Sequence, residues 1–338
     1  MPATIQEVAQ KAGVSIATVS RALRGLPSVA PSTRDRVIRV AEELHYEIRP
    51  LVSRMARGRR VVGVVVPLVD AWFYSKLVNV IELELLRQEY DVVRYSIDSV
   101  ASQENLLQHL TARKLVDGLI LCSLALTPHT VDIVRKAGIA VATVETSAEG
   151  LPSVYVDNAA AAELATRYLI NLGHRRIGII SGMEDAPLQF AIPQARKEGH
   201  LRALARSGIP FRPELERPGN YAYEGGAEAM KQLFSEHQPP TAVFAFSDEM
   251  AIGALKTVRD LKLRVPEDIS IMGFDDNDVA HYVDLTTIRQ PVSRFGEVAA
   301  GQILALFDGV APGQAEHIRC TVELVVRSTT GPPPPPRH

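Results

Sequence analysis

The chain has 338 residues, 46% of them hydrophobic, with 37 basic against 39 acidic side chains and two cysteines. That length exceeds one compact unit and suits two or three domains. No apolar run reaches membrane-span length, and MPATIQEVAQKAGV lacks the apolar core of a signal peptide, so a cytoplasmic protein is expected. Cys122 and Cys320 sit far apart in apolar runs and are expected as buried free thiols. The net charge of −2 hides an asymmetry: residues 1–60 hold eleven Lys or Arg against five Asp or Glu, a balance of +6 that leaves −8 for the rest. A basic head on an acidic body points to an anionic partner for the head alone.

The head reads as three short helices. In TIQEVAQKAGVS, Thr4 and Glu7 have the spacing of a capping box, and Ile5, Val8, Ala9 and Ala12 share one apolar face. Gly13 stops that helix and Ser15 caps the next, IATVSRAL. Val19, Ala22 and Leu23 lie on one side of it; Ile16, Ala17, Ser20 and Arg21 lie on another. A third helix starts near Pro31 and buries Val37, Ile38, Ala41 and Leu44. Two helices joined by a tight turn and closed by a third make a helix-turn-helix unit. Spacing alone also allows a small helical cap on an enzyme.

The stretch TIQEVAQKAGVSIATVSRALRG closely resembles the head of the lactose/galactose repressor (LacI–GalR) family, with Arg24 where the family usually has Asn. The resemblance implies a second helix in the major groove of double-stranded DNA. It assigns base reading to Ile16, Ala17 and Arg21, the last able to donate a bidentate pair to guanine. Thr4, Ser15, Thr18 and Ser20 are expected on phosphates, which set register without reading sequence. For Thr4, Ser15 and Ser20, helix capping or plain surface is the simpler role, and it is compatible with contact.

Residues 49–60, RPLVSRMARGRR, carry five arginines and no acid. The family pattern here, Y-x-P-N-x-x-A-R-x-L, forms a short hinge helix on DNA. This chain reads YEIRPLVSRM: the proline moves from position 48 to Pro50, Val52 takes the alanine place and Met55 the leucine place. The resemblance implies that Met55 wedges into a central base step and kinks the duplex, with Arg54 and its neighbours on phosphates. The alternative is a flexible basic tether.

From position 60 onward, strand-length apolar runs alternate with amphipathic helical segments. VVGVVVP, DVVRYSI, GLILCS and AVATV form one series; VYVDN, RIGIISG, AVFAFS and ISIMGFDD form a second. SKLVNVIELELLRQE, SQENLLQHLTARK, AAAELATRYLINLG, ARKEGHLRALARSG, EGGAEAMKQLFSE and EMAIGALKTVRDL are the helices between them. Such alternation argues doubly wound parallel sheets in two halves with a cleft between. LGHRRI looks functional but is read as a helix stop before a strand. No Walker loop, G-x-S-x-G elbow, G-x-G-x-x-G loop or metal spacing is present, so no enzyme, metal or cofactor is expected.

The family resemblance extends over about residues 4–327 and implies an α/β fold: a three-helix head and hinge, then a periplasmic-binding-protein-like core. The expected domains are 1–48, a hinge at 49–60 and an effector domain at 61–330. Within it the N-subdomain takes about 61–158 and 292–321, and the C-subdomain about 159–291 and 322–330. The chain then crosses between halves near 157–161, 290 and 322. Residues 331–338, a Pro-rich stretch, are expected as a loose tail.

Ligands in such folds bind at the carboxyl ends of strands. Strand ends offer Trp72, Phe73, Glu145, Ser247, Asp248, Asp275 and Asp276; Arg196 is placed at a helix start and Tyr221 after a strand. Carboxylates accept from vicinal hydroxyls, an arginine donates, and aromatic faces cover C–H surfaces, which suits a sugar or sugar derivative. The resemblance assigns effector contact to Arg196, Asp275, Tyr221, Phe73 and Gln290. Ser247 and Glu145 depart from the usual Asn/Asp and Asp, and Phe190 replaces a basic residue of purine-binding members. Glu145 and Asp276 could equally be solvated loop charges. The expected function is a sequence-specific transcriptional regulator, a repressor, acting as a homodimer on a palindromic operator under effector control. The proline-rich end favours a dimer over the family's tetramers. A transport binding protein would need a signal peptide and no head; an enzyme would need a nucleophile or cofactor motif.

Overall fold

The computed structural model describes residues 5–23, 29–44, 61–67, 71–182, 191–310 and 316–335. The chain divides into two compact units, residues 1–61 and 62–338.

The first unit holds α1 (Ile5–Ala12), α2 (Ile16–Leu23) and α3 (Pro31–Glu43). Between α1 and α2, Gly13 adopts φ +65°, a left-handed turn that an L side chain resists. The Ser15 hydroxyl accepts the Thr18 amide at 3.1 Å, so it is the cap of α2. Val8, Ala12, Val19, Ala22, Val29, Val37 and Ala41 form the core. On α3 the periodicity misses Val40, which is buried, whereas Ile38 and Leu44 are only partly covered. A helix packed against two others presents a face wider than a four-residue stripe.

The second unit is built on two six-stranded sheets. The N-terminal one contains β1 (Val61–Pro67), β2 (Asp91–Ile97), β3 (Gly118–Cys122), β4 (Ala140–Val144), β5 (Ser153–Val156) and β11 (His317–Cys320), in the order β11-β5-β4-β3-β1-β2. The C-terminal one contains β6 (Ile177–Ser181), β7 (Glu216–Pro218), β8 (Ala242–Ala245), β9 (Ser270–Asp275), β10 (Thr286–Arg289) and β12 (Glu323–Val325), in the order β12-β10-β9-β8-β6-β7. The pairings around β3, β4 and β5 and around β6, β8 and β9 are parallel; β12 runs antiparallel to β10. The helices between them are α4 (Trp72–Leu86), α5 (Val100–Ala112), α6 (Pro128–Ala137), α7 (Asn158–Asn171), α8 (Ala191–Arg206), α9 (Tyr223–Ser235), α10 (Asp248–Asp260) and α11 (Val292–Phe307). The chain passes between sheets three times: after β5, after β10 and between β11 and β12. Helix α11 returns to the N-terminal sheet, where Phe295 and Ile303 join Leu77, Ile81 and Leu85 of α4 in one apolar cluster.

Several expectations need correction. α4 begins at Trp72, three residues before SKLVNV, so Trp72 and Phe73 open a helix rather than end a strand. Arg196 is the sixth residue of α8, more than a turn inside it. α6 has no counterpart among the helices read from the sequence, although Thr127 caps it, Pro128 opens it and Gly138 ends it at φ +63°. Cys320 is half-buried, on an edge strand, while Cys122 is buried. The tail is not loose at its start. Gly331 is buried, its N–H donates to Ser270 Oγ at 3.0 Å, and its carbonyl accepts from His174 Nε2 at 2.9 Å. A carbonyl only accepts, so His174 carries its proton on Nε2 and takes the Thr241 hydroxyl at Nδ1, 2.9 Å away. This fully buried imidazole, held neutral by burial, gives LGHRRI a structural role.

Candidate functional site

In the first unit, α2 buries Val19 and Ala22 and leaves Ile16 47% exposed and Arg21 exposed. Ser15 and Thr18 sit together at its start, their hydroxyls 2.8 Å apart. Ala17 and Ser20 lie on the same helix. The N-terminal residues of α2 are thus on the surface, where a helix can enter a groove. Thr4, Arg54 and Met55 lie outside the described residues.

In the second unit, one cavity of about 50 Å³ lies at the carboxyl ends of the strands of both sheets. Of the eight sequence-predicted effector residues, seven line it: Phe73, Glu145, Arg196, Tyr221, Ser247, Asp275 and Gln290. Three of these, Glu145, Tyr221 and Asp275, have positive φ (+56°, +57° and +123°), as does Ser123 at the end of β3 (+53°). Non-glycine residues rarely adopt such backbones, and the strain clusters where strand ends turn side chains inward.

The electrostatics are dominated by carboxylates. Glu145, Glu249 and Asp275 face the cavity, against Arg196 as its cation. The Arg196 guanidinium is stacked 3.6 Å from the Phe274 ring centre, donates to the Phe246 carbonyl, and donates from Nε to Asn158 Oδ1 at 2.9 Å. Asp275 accepts from Gln290 Nε2 at 2.6 Å; burial raises its carboxyl well above the carboxylate range, with Arg196 pulling the other way. Behind it Asp248 is fully buried, accepting from Thr287 Oγ1 at 2.6 Å and from the Asn277 amide at 2.7 Å; burial pushes it up to about 7. Tyr221 is pushed up to about 12 by burial. Its hydroxyl and Gln290 Oε1 are buried without hydrogen-bond partners among the described residues.

Four of the residues singled out in the sequence do other work. Glu145 lines the cavity, yet its Oε1 accepts the Val156 amide at 2.8 Å and its Oε2 accepts Asn158 Nδ2 at 2.7 Å. Trp72 is not in the wall. Its amide donates to Glu249 Oε1 at 2.9 Å and its indole N–H to Asp278 Oδ2 at 3.0 Å, so it straps the first turn of α4 to the C-terminal subdomain. Lys76, one turn along α4, adds an ion pair to Asp278 at 3.7 Å. The Ser247 hydroxyl caps α10 by accepting the Met250 amide. Asp276 faces away, paired with Arg289 and Arg327 at 2.7 and 2.6 Å. Sequence reasoning missed Glu249, Tyr74, Ser123 and Asn158. Glu249 stands beside the flagged Asp248 in SDEM, and Asn158 closes the strand segment VYVDN, so both follow a strand end. Phe190 lies outside the described residues.

Residues 4–48 match the model described as bacterial regulatory proteins, lacI family, and residues 166–330 match the periplasmic binding protein-like domain. The HTH-type transcriptional repressor CytR of Escherichia coli (strain K12) is 37% identical over 334 residues, covering 97% of this chain and 96% of that protein. This chain belongs to the LacI family. As a LacI-family protein it is a transcriptional regulator with a DNA-binding head, not an enzyme. Among solved structures, the CelR–cellobiose complex superposes with a TM-score of 0.69 at 29% identity, covering 97% of this chain and 99% of that one. The lac repressor dimer bound to operator and the anti-inducer ONPF gives 0.72 at 27% identity, covering 98% and 100%. Among the described residues no helix is long and apolar enough to cross a membrane, and no cluster of metal-ligating side chains occurs.

Proposed function

We propose that this LacI-family regulator is a repressor that binds a near-palindromic operator as a homodimer, and that a small carbohydrate in the cavity controls its operator affinity. The observation that carries the effector reading is the convergence of seven polar and aromatic residues from both sheets on one cavity. Within it a buried hydroxyl and a buried carbonyl oxygen lack partners among the described residues. Buried polar groups without partners cost on the order of 1–3 kcal/mol each, so a polyhydroxylated ligand that satisfies them gains affinity. The wall holds three acidic side chains, two of which, Glu145 and Asp275, burial pushes toward the neutral form, and one arginine that already has protein partners; with so little free positive charge to offer an anion, it favours a neutral sugar over an organic acid or a phosphate ester. The cellobiose bound by CelR is consistent with this class.

The exposed face of α2 supports the DNA reading: Arg21 is exposed and able to reach a guanine edge while Ser15 and Thr18 hold the backbone. A ligand that binds one arrangement of the two subdomains more tightly shifts the population toward it. In a dimer that changes the spacing of the paired 49–60 segments and so their fit to the operator. A mobility shift on a random-site duplex pool, repeated with neutral mono- and disaccharides, tests the whole scheme. Salt-sensitive binding to a palindromic duplex, changed by at least one sugar, is expected; no such binding to any palindromic duplex would refute it.

A further inference from the structure

Three buried residues from three elements form one directed chain of hydrogen bonds. Glu145, just past β4 in the N-terminal subdomain, has both carboxylate oxygens occupied, by the Val156 amide and by Asn158 Nδ2. Asn158 opens α7 directly after the first crossover, and its Oδ1 accepts Arg196 Nε from α8 in the C-terminal subdomain. Exposure is 8%, 8% and 3% along the chain. The orientation of the amide is forced: only Nδ2 can donate to a carboxylate, and only Oδ1 can accept from a guanidinium.

We propose that Asn158 is a positioning residue that sets the Arg196 guanidinium in the cavity and ties it to the N-terminal subdomain through Glu145, so that Arg196 is correctly presented only in this arrangement of the two subdomains. The role rests on the effector reading of the cavity. It follows from the location of Asn158 on a crossover. A rotation of one subdomain against the other displaces Glu145 from Arg196, and a side chain bonded to both must release one of them. Because α7 and α8 pack closely beside Asn158 and Arg196, the bond released is the one to Glu145, and the Asn158 amide, no longer fixed by that carboxyl group, loses the orientation in which its Oδ1 holds Arg196 Nε.

The polarity of the chain supplies the test. Glu145→Gln places an amide against the Asn158 amide, and one donor must face another donor whichever way either is flipped. Asn158→Asp places two carboxyl groups side by side, which fit together only by holding a proton between them, so the loss in this variant is expected to grow as pH rises. The double variant Glu145→Gln/Asn158→Asp reverses the first bond and restores every partner. The new amide at position 145 accepts from Val156 and donates to the new carboxylate at position 158, which in turn accepts from Arg196. The net charge is unchanged. The full-length variants are compared by calorimetry with neutral sugars, ribose and cellobiose included, and by acrylamide quenching of ligand-free protein. Trp72 is the sole tryptophan, and its indole bridges the two subdomains, so quenching reports their arrangement. Each single variant is expected to weaken sugar binding on the order of tenfold and to raise quenching, as one buried mismatch demands. The double variant is expected to return to within about threefold of the parent, because residues in one network are not additive. Single variants that behave like the parent, or a double variant at least as impaired as the worse single, overturn the proposal. If neither single variant folds, recovery of a folded protein in the double is expected and its failure to fold is refuting. A parent that binds no sugar in the panel removes the effector reading, and the quenching series then decides the positioning role alone.

Discussion

Gly199→Ala is a small change with a large expected effect. Helices α7 and α8 approach so closely at this point that a Cβ on residue 199 would lie 2.0 Å from the carbonyl oxygen of Ala159. A carbon and a carbonyl oxygen need about 3.3 Å, so the helices must part by roughly 1.3 Å. Two effects oppose each other. Alanine is the better helix former by about 1 kcal/mol. Overpacking a rigid helix–helix contact costs about 1–3 kcal/mol. Arg196 lies one turn before Gly199, and Asn158 adjoins Ala159. The same displacement stretches the 2.9 Å bond between them beyond hydrogen-bonding range and costs a further 1–3 kcal/mol or so in a buried site. The penalty wins, with a net loss of about 1–5 kcal/mol, which in a domain of this size lowers the melting temperature by roughly 2–20 °C. Thermal unfolding followed by circular dichroism measures the first effect and sugar calorimetry the second. A Gly199→Ala protein with unchanged melting temperature would refute the packing argument, since the helix-propensity gain alone moves it the other way.

Other outcomes follow from single contacts. Asp248 titrates near 7 in the folded protein because of burial, against about 4 unfolded. Its contribution to stability is therefore full below about pH 4 and is lost as pH rises through 7. Asp248→Asn, which can still accept from Asn277 and can donate to Thr287, is expected to flatten that part of the pH–stability curve; an unchanged curve contradicts the assignment. Asp278→Ala removes the acceptor of the Trp72 indole and the partner of Lys76. Because Asp278 is exposed, stability is expected to fall by under about 1 kcal/mol, while Trp72 emission becomes more quenchable by acrylamide. Met55→Ala is expected to weaken operator binding by more than about 1 kcal/mol, the scale of base-step unstacking, and to leave sugar binding alone. Normal operator binding would reduce residues 49–60 to a tether.

Most of the fold is legible in the chain because its signals are local. Thr127–Pro128 and Gly138 bracket α6 as clearly as Gly13 ends α1 and Ser15 caps α2, and the strand–helix alternation calls for a helix there too, although none is read between GLILCS and AVATV. Polar residues after apolar runs mark the strand ends, and with them most of the cavity wall. Their roles are less legible. Glu145 reads as a ligand contact until its two oxygens are seen to be occupied by protein donors. Trp72 reads as a stacking surface until its indole is found on Asp278, 206 residues away.

By itself the sequence determined the three-helix head, most of the order of strands and helices, and the family, since periodicity, capping and motif spacing act over a few to some tens of residues. Only the tertiary structure decided which polar atoms remain available in the cavity. Hydrogen-bond capacity is shared among residues brought together by three crossovers, and Asn158 and Glu249 acquire partners only where two sheets meet. The buried start of the proline-rich tail has the same cause: proline forbids regular structure but not docking, and Gly331 is held by His174 and Ser270 from distant parts of the chain.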